Sequence, residues 1–197
     1  ILKHPQISEI DVVDIDPAIT ELGTAFAPLV ALNQGALDDP RVRIANEDAF
    51  VFINRPGKLY DRVIIDMPDP HNEALAKLYS KEFYTMISRR LARDGALVTQ
   101  SSSPFFARQT YWAIERTLSA VFPSTVSYHT AIPTFGLWGF HIALQSDTTN
   151  AFEPRIVSDT RSLTQESFTA ALTFAKDVSR PGRLRVNTIF EPTLYQY

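Results

Sequence analysis

Residues 60–70, YDRVIIDMPDP, combine an apolar run with two acids and two prolines. The run Val63-Ile64-Ile65 predicts a buried strand of a parallel sheet, and Asp66 and Asp69 follow at its carboxyl end. Because the carboxyl ends of strands form the ligand crevice in open α/β sheets, chemistry is expected here. The prolines stiffen the loop and restrict the directions of both acids. The stretch therefore predicts a crevice with two carboxylates suited to a cationic substrate.

Strands and helices alternate on both sides of this stretch. The predicted strands are 9–16, 41–44, 60–66 and 96–100, and the predicted helices are 18–32, 79–93, 105–121 and an amphipathic stretch near 164–177. The apolar face of helix 18–32 is expected to pack on the sheet, and Gly95 is expected to stop helix 79–93. Two extended runs, 125–132 and 138–144, predict a hairpin. The pattern indicates an α/β fold: a doubly wound Rossmann-like sheet of the class I methyltransferase type with an antiparallel C-terminal hairpin.

The composition is that of one ordinary globular domain of 197 residues, 45% hydrophobic and 21% charged. The absence of cysteine excludes disulfides and thiolate chemistry. A net charge of −3 without a basic run argues against nucleic acid as a partner. No apolar stretch is long enough to span a bilayer. Because the chain begins Ile1-Leu2-Lys3 without methionine, we expect it to be a piece of a longer protein.

Acids also follow two earlier predicted strands. Asp14 ends the first strand, where an acid commonly binds the two hydroxyls of a ribose, and the alternative is a cap of the helix that follows. Asp48 follows the second strand, where an acid can accept hydrogen bonds from the exocyclic amine of adenine. The alternative for Asp48 is a solvated turn acid. The residues alone leave these alternatives open.

The acid pair after residue 65 gives the strongest functional signal. A carboxylate in a partly apolar mouth can act as a general base for a bound amine, while its neighbour holds a second ammonium. The alternative is that Asp66 and Asp69 stabilise the next helix through its dipole. Gln100 ends the next strand at the same edge, as a substrate contact or as a satisfied loop residue.

The remaining candidates are weaker. The histidines do not pair at metal-ligand spacing, so no metal site is predicted, and His141 in its apolar strand is expected to be structural. Ser101-Ser102-Ser103 lacks the glycines of a nucleophile elbow, which disfavours a hydrolase. Four aromatic side chains could wall a pocket for an alkyl amine, although core packing is the default expectation: Trp112, Phe135, Trp138 and Phe140.

Five segments occur in a characteristic order: Val13-Asp14-Ile15-Asp16-Pro17, Asn46-Glu47-Asp48-Ala49-Phe50, residues 60–70, Leu78-Tyr79-Ser80-Lys81-Glu82-Phe83-Tyr84 and Ile132-Pro133-Thr134-Phe135-Gly136-Leu137-Trp138-Gly139-Phe140. Together they resemble the spermidine synthase family, the polyamine aminopropyltransferases, over about residues 1–145. The D-x-x-D-P loop and the P-T-F-G-x-W-G-F hairpin are most similar to bacterial members whose catalytic domain follows a multi-helix membrane region. The stretch after 150, with Arg185-Val186-Asn187-Thr188, resembles the tail of those proteins.

The resemblance implies an aminopropyltransferase catalytic domain over 1–148, without its first strand and glycine-rich loop, and a C-terminal extension over 149–197 that packs on or beside it. It implies polyamine biosynthesis, in which an aminopropyl group passes from decarboxylated S-adenosylmethionine to a diamine such as putrescine. The products are spermidine and methylthioadenosine, and no prosthetic group is required. The alternatives are a class I S-adenosylmethionine-dependent methyltransferase and a non-catalytic fragment of the family.

The resemblance also implies roles for the acids in the diamine site. Asp66 would be the base that deprotonates the attacking nitrogen, and Asp69 would anchor the distal ammonium with Gln100 nearby. Phe135 stands where soluble members often have tyrosine, which removes one hydroxyl from the amine pocket.

A second set of residues is implied in the nucleoside site. Asp14 would hold the ribose, Ile15 would pack on the adenine and Asp48 would bind its amine, with Ala49 beside it. The implied partners are the diamine and the adenosyl sulfonium donor, with a homodimer left open. The implied location is the cytoplasm, and a tether to the inner face of a bacterial membrane is left open for the full-length protein.

Overall fold

The computed structural model describes residues 1–147, 155–156 and 159–197. These residues form two compact units, Ile1–Pro56 and Gly57–Tyr197. The expected domain boundary at 148/149 lies outside the described residues, so the division into a catalytic domain and an extension stays a prediction. None of the helices in the described part of the chain combines the length and the apolar character that crossing a bilayer requires.

The first unit is a two-stranded parallel sheet with short helices. Its elements in chain order are β1 (Ile10–Asp14), α1 (Pro17–Ala25), α2 (Ala27–Asn33), a 3₁₀ turn (Ala36–Asp38), β2 (Val42–Asn46) and α3 (Ala49–Asn54). The register places Asp14 opposite Asn46, so β1 and β2 end side by side. Both predicted strands are therefore present, with their carboxyl ends at one edge.

The prediction of a single helix over 18–32 is wrong. The helix breaks at Phe26, whose backbone is extended. Pro28 explains the break, because proline lacks an amide hydrogen and its ring clashes with the carbonyl four residues earlier. The predicted apolar face is also largely exposed within the described structure, since a two-stranded sheet offers too little surface to cover it: Ile19, Leu22, Phe26 and Leu29.

The second unit contains a mixed four-stranded sheet. Its elements are β3 (Tyr60–Ile65), α4 (Glu73–Ala76), a 3₁₀ turn (Lys77–Tyr79), α5 (Lys81–Arg90), β4 (Leu91–Gln100), α6 (Arg108–Leu118), β5 (Ser124–Ile132), β6 (Gly136–Leu144), α7 (Gln165–Ala171) and a final 3₁₀ turn (Leu194–Gln196). The strand order is β3-β4-β6-β5, with β3 parallel to β4 and β6 antiparallel to β4 and β5. The predicted antiparallel hairpin is confirmed as β5 and β6.

The prediction of a helix over 79–93 that is stopped by Gly95 is wrong in two details. Helix α5 ends at Arg90 rather than at 93, because β4 already begins at Leu91, which pairs with Tyr60. Gly95 therefore lies inside β4 and does not stop the helix. The register shifts between Leu91 and Ala96, and a Cβ on Gly95 would lie 2.8 Å from the carbonyl oxygen of Ala92. The glycine is needed for this close approach within an irregular strand.

Strand β3 lies at the edge of its sheet, which changes its burial. Ile65 is 4% exposed, but Ile64 is 57% exposed, so the prediction of a strand buried along its whole length is wrong. The strand is thus buried at Ile65, partly covered at Tyr60 and Val63, and exposed at its other positions. The core of the unit is made by α5, α6 and the sheet, with Tyr84, Ile87, Leu97, Ile114 and Leu118 fully or almost fully buried.

His141 is structural, as its apolar strand predicts. The ring is fully buried, and its Nε2 lies 2.9 Å from the carbonyl oxygen of Tyr111. A carbonyl can only accept, so Nε2 carries the hydrogen and Nδ1 accepts from the hydroxyl of Ser127 at 3.0 Å. Burial lowers the pKa of His141 from 6.5 to about 3, so the ring stays neutral at ordinary pH.

We expect the stability of the protein to fall as the pH falls from 6.5 towards 3. In that range the unfolded chain protonates His141 and the folded chain does not, which costs about 1.4 kcal/mol per pH unit at most. Urea unfolding of the wild type and of His141→Gln at several pH values would measure the effect. The variant should show a shallower pH dependence, and parallel curves would contradict the assignment.

Candidate active site

The loop after β3 opens onto a cavity of about 600 Å³ that lies wholly within the second unit. Asp66, which is exposed, and Asp69, which is half-buried, both line this cavity. Pro70 is buried and fixes the end of the loop. Gln100, at the carboxyl end of the neighbouring strand β4, lines the same cavity. The structure thus brings together the three residues predicted for a diamine site.

The rest of the cavity wall is largely apolar and aromatic. Tyr128 and Phe140 stack with ring centroids 5.2 Å apart, and Phe135 and Trp138 form a tilted pair at the same distance. The default expectation of core packing is therefore wrong for Phe135, Trp138 and Phe140, which lie on the hairpin and its turn. It is right for Trp112, which is buried in the core.

Burial raises the pKa of Tyr128 to about 12, so this wall residue is an uncharged hydroxyl at ordinary pH. The described part of the wall thus places two carboxylates among neutral and apolar groups. Such a surface favours a ligand with positive charge and a hydrocarbon body, because the acids attract the charge and the aromatic faces cover the carbon chain.

The loop Asp66–Asp69, called the acid loop below, is held in place by Tyr79, a residue that the sequence did not indicate as part of the site. Its hydroxyl lies 3.0 Å from the carbonyl oxygen of Met67 and 3.2 Å from that of Pro68. The amide nitrogen of Gln100 donates to the same hydroxyl at 2.8 Å. Burial, together with the charge of Asp69, raises the pKa of Tyr79 well above its usual range. The hydroxyl therefore stays protonated and acts as a hydrogen-bond donor to the loop carbonyls.

Gln100 is oriented by the backbone that follows it. Its Oε1 accepts from the amide of Ser102 at 2.9 Å, which turns Nε2 towards Met67, Tyr79 and Asp69. The distance from Nε2 to Oδ1 of Asp69 is 3.2 Å. Because the side chain is buried and bonded at both ends, Gln100 helps to fix the position of Asp69 as well as lining the cavity.

Ser102 supports the other oxygen of the same carboxylate. Its hydroxyl donates to Oδ2 of Asp69 at 3.3 Å. Its backbone has a φ of 66°, in the left-handed region that serine seldom adopts. In the described part of the chain, the side chains that donate to Asp69 are thus both uncharged. They orient the carboxylate without neutralising it, which leaves its charge for a ligand.

In the first unit, Asp14 and Ile15 lie at the carboxyl end of β1. Asp14 accepts from the amide of Asp16 at 2.8 Å, and Asp16 caps α1 by accepting from Ala18 at 2.9 Å. The helix cap is therefore Asp16 and not Asp14, which removes the alternative weighed for Asp14. Ile15 is 70% exposed, so its side chain offers an apolar surface.

Asp48 and Ala49 follow β2 at the same edge of this two-stranded sheet. Oδ1 of Asp48 accepts from the amide of Phe50 at 2.7 Å and caps α3, which begins at Ala49. Asp48 is thus a helix cap rather than a freely solvated turn acid. The first unit therefore gathers its four predicted nucleoside residues at one edge.

The model of the spermine/spermidine synthase domain matches residues 1–154. The chain belongs to this family. Among curated proteins it is 42% identical to polyamine aminopropyltransferase 1 of Streptomyces coelicolor and 39% identical to the polyamine aminopropyltransferase of Oceanobacillus iheyensis. Both alignments cover 100% of the chain but only 37% and 39% of the relatives. The chain thus spans less than half the length of these proteins.

Solved structures confirm the fold class. The spermidine synthase of Thermotoga maritima matches with a TM-score of 0.76 at 23% identity, over 90% of this chain and 61% of the other. A spermidine synthase in complex with the transition-state analogue AdoDATO matches with 0.79 at 24%, over 90% and 62%. An O-methyltransferase from Bacillus cereus matches with 0.50 at 11%, over 69% and 62%. The predicted class I methyltransferase type of fold is therefore right.

Two substitutions of Ser102 separate its backbone role from its hydroxyl. Ser102→Ala and Ser102→Gly both lose the hydrogen bond to Asp69, but only glycine adopts the left-handed backbone without strain. We expect the glycine variant to be more stable than the alanine variant by about 1 kcal/mol, as measured by urea unfolding. An alanine variant at least as stable as the glycine variant would contradict the strain assigned to this position.

Proposed function

We propose that the protein containing this chain transfers an aminopropyl group from decarboxylated S-adenosylmethionine to a diamine. With putrescine as acceptor, the products are spermidine and methylthioadenosine. The observation that carries the proposal is the acid loop Asp66–Asp69 in a cavity whose wall is largely apolar and aromatic, in a chain of the spermine/spermidine synthase family. The names of the curated relatives support the same reaction.

The two acids suit the two ends of a diamine. A free alkylamine has a pKa near that of lysine, about 10, so both nitrogens arrive protonated. Asp69, held by Gln100 and Ser102, is fixed in place as the anchor of the distal ammonium. The side chain of Asp66 is exposed at the cavity and is the base for the attacking nitrogen. Aromatic rings along the wall would cover the methylene chain between them.

The chemical step needs a base and a good leaving group. Asp66 accepts a proton from the ammonium, which gives the nitrogen a free electron pair. The nitrogen attacks the aminopropyl carbon next to the sulfonium, a C–N bond forms and the C–S bond breaks. The electron pair of that bond returns to sulfur, which leaves as the neutral thioether of methylthioadenosine. The charge of the sulfonium is thus replaced by that of the new ammonium.

The nucleoside of the donor is assigned to the first unit. We assign the ribose hydroxyls to Asp14, the adenine face to Ile15, and the adenine amine to Asp48 with Ala49 beside it. Support comes from their common place at the carboxyl ends of β1 and β2, where parallel sheets bind nucleotides. The exposure of Ile15 also agrees with a role as an apolar platform.

A methyltransferase is the competing enzyme, since an O-methyltransferase shares the fold. Both reactions use an adenosyl sulfonium, but their products differ. Aminopropyl transfer releases methylthioadenosine, whereas methyl transfer releases S-adenosylhomocysteine. The paired acids favour the first, because a diamine has two charges to place. A non-catalytic member of the family would bind no nucleoside.

The partners proposed are therefore small molecules: a diamine and decarboxylated S-adenosylmethionine. We propose that the catalytic domain lies in the cytoplasm and is tethered to the inner face of a bacterial membrane in the full-length protein. The support is the likeness of residues 60–70 and 132–140 to bacterial members with a membrane region. The short share of the relatives that the chain covers agrees with a longer protein. A homodimer is a further proposal for the same protein.

Replacing Asp66 by asparagine tests the base. We expect Asp66→Asn in the complete protein to lower kcat by about 10²- to 10⁴-fold, because the amide cannot take the proton. Binding of methylthioadenosine, measured by calorimetry, should stay unchanged. Asp61→Asn is the matched control, since Asp61 lies on β3, just before the loop that carries Asp66, and is not among the residues that line the cavity.

Mass spectrometry of the products decides between the outcomes. Methylthioadenosine and a lengthened polyamine from the wild type, lost in Asp66→Asn and kept in Asp61→Asn, are the results expected. S-adenosylhomocysteine as the product would replace the proposal with methyl transfer. Normal turnover by Asp66→Asn would show that Asp66 is not the base.

A further inference from the structure

Asn187, in the C-terminal segment, is fully buried and uses every one of its polar atoms. Its backbone amide donates to the hydroxyl of Thr117 on α6 at 3.0 Å, and its Oδ1 accepts from the amide of Thr193 at 2.9 Å. Its Nδ2 donates to the carbonyl of Ala76 at 2.8 Å, and its carbonyl accepts from the amide of Lys81 at 2.9 Å. A single buried residue thus joins the C-terminal segment 178–197, called the tail below, to the three helices α4, α5 and α6.

The last two of these bonds enclose the turn that carries Tyr79. Ala76 is the last residue of α4 and Lys81 is the first residue of α5. Between them lie the 3₁₀ turn Lys77–Tyr79 and Ser80, which caps α5. Because Asn187 holds both ends of this short segment, it fixes where the ring of Tyr79 enters the core.

Tyr79 passes that position on to the acid loop. Its hydroxyl bonds the carbonyls of Met67 and Pro68, the two residues between Asp66 and Asp69, and receives the amide of Gln100. A shift of the turn would move this hydroxyl and release the loop and Gln100 together. The path from Asn187 to the acids therefore alternates hydrogen bonds with short backbone segments. The bond from Asn187 to Ala76 is buried, and the bonds from Tyr79 to the loop carbonyls are partly buried.

We infer that the C-terminal segment 178–197 positions the acid loop Asp66–Asp69, with Asn187 and Tyr79 as positioning residues. The catalytic consequence rests on the proposed function, whereas the positioning itself does not. In this account the tail is part of the support of the active site and not merely a cover of the core. Neither residue is expected to touch the reacting atoms.

The tail is also fixed at points away from this turn, which provides a matched control. The indole nitrogen of Trp112 donates to the carbonyl of Val178 at 2.9 Å, and Nε of Arg108 donates to that of Ser179 at 2.7 Å. These bonds hold the tail to α6. Trp112→Phe removes one of them, and Trp112 takes no part in the hydrogen bonds of Asn187 and Tyr79 described above.

The first test is hydrogen–deuterium exchange on the complete protein. Asn187→Asp keeps an acceptor for Thr193 but loses the donor to Ala76. We expect exchange in peptides covering 66–79 to become about tenfold faster, since a buried carbonyl loses its partner. In Trp112→Phe these peptides should exchange at the wild-type rate, even if this variant lowers the melting temperature as much as Asn187→Asp does. If Asn187→Asp does not fold, Thr117→Val removes the acceptor for the backbone of Asn187 and is read in the same way.

The second test is kinetic and uses the proposed reaction. Asn187→Asp and Tyr79→Phe should each raise KM for the diamine by about tenfold while leaving the Kd of methylthioadenosine unchanged. Because both residues act through one path, their effects should not add. The diamine KM of the double variant should be no higher than that of the more impaired single variant. Tyr84→Phe is the control for Tyr79→Phe, since Tyr84 is also fully buried and its hydroxyl does not contact the loop.

The outcomes separate the positioning from the function. The positioning role would be overturned if residues 66–79 exchanged no faster in Asn187→Asp than in Trp112→Phe. The same comparison applies to Thr117→Val where that variant is used instead. An additive double variant, or a loss of activity with an unchanged diamine KM, would also overturn it. A wild-type protein without aminopropyl transfer would refute the proposed function, while the exchange result would still decide whether the tail holds the loop.

Discussion

The hydroxyl of Tyr79 is the point on which the acid loop depends. It donates to the loop carbonyls between Asp66 and Asp69 and accepts from Gln100, so a single buried group fixes the loop and the amide beside it. Burial keeps the hydroxyl protonated, which keeps it a donor. A loop that must hold two negative charges close together would otherwise be free to turn them apart. The cost of ordering those charges is offset by neutral donors that leave the charges available.

The same principle explains the composition of the cavity. In the described part of its wall, the acids stand among aromatic rings, and the donors that reach Asp69 are an amide and a hydroxyl rather than a lysine or arginine. An internal cation would have neutralised the site. A dicationic ligand with an apolar middle fits this arrangement, and a diamine is the ligand of this kind that we propose.

Local pattern predicted much of this structure, and long-range contacts account for the rest. The places of Asp66, Asp69 and Gln100 follow from strand ends in a parallel sheet, which the sequence shows. Tyr79, Ser102 and Asn187 could not be found in this way, since Asn187 and its partner Ala76 are 111 positions apart. The end of α5 at Arg90 was missed for the same reason, because pairing of Leu91 with Tyr60 overrides the local signal of Gly95. The aromatic wall needed the hairpin register, which brings Tyr128 beside Phe140.

The central claim is that the acids bind the two ends of a diamine. A crystal structure of the complete protein with methylthioadenosine and putrescine would test it most directly. The account predicts one nitrogen at hydrogen-bond distance, about 2.6–3.2 Å, from the carboxylate of Asp66 and the other nitrogen at Asp69. A diamine bound away from residues 66–69, or with neither nitrogen on a carboxylate, would contradict it.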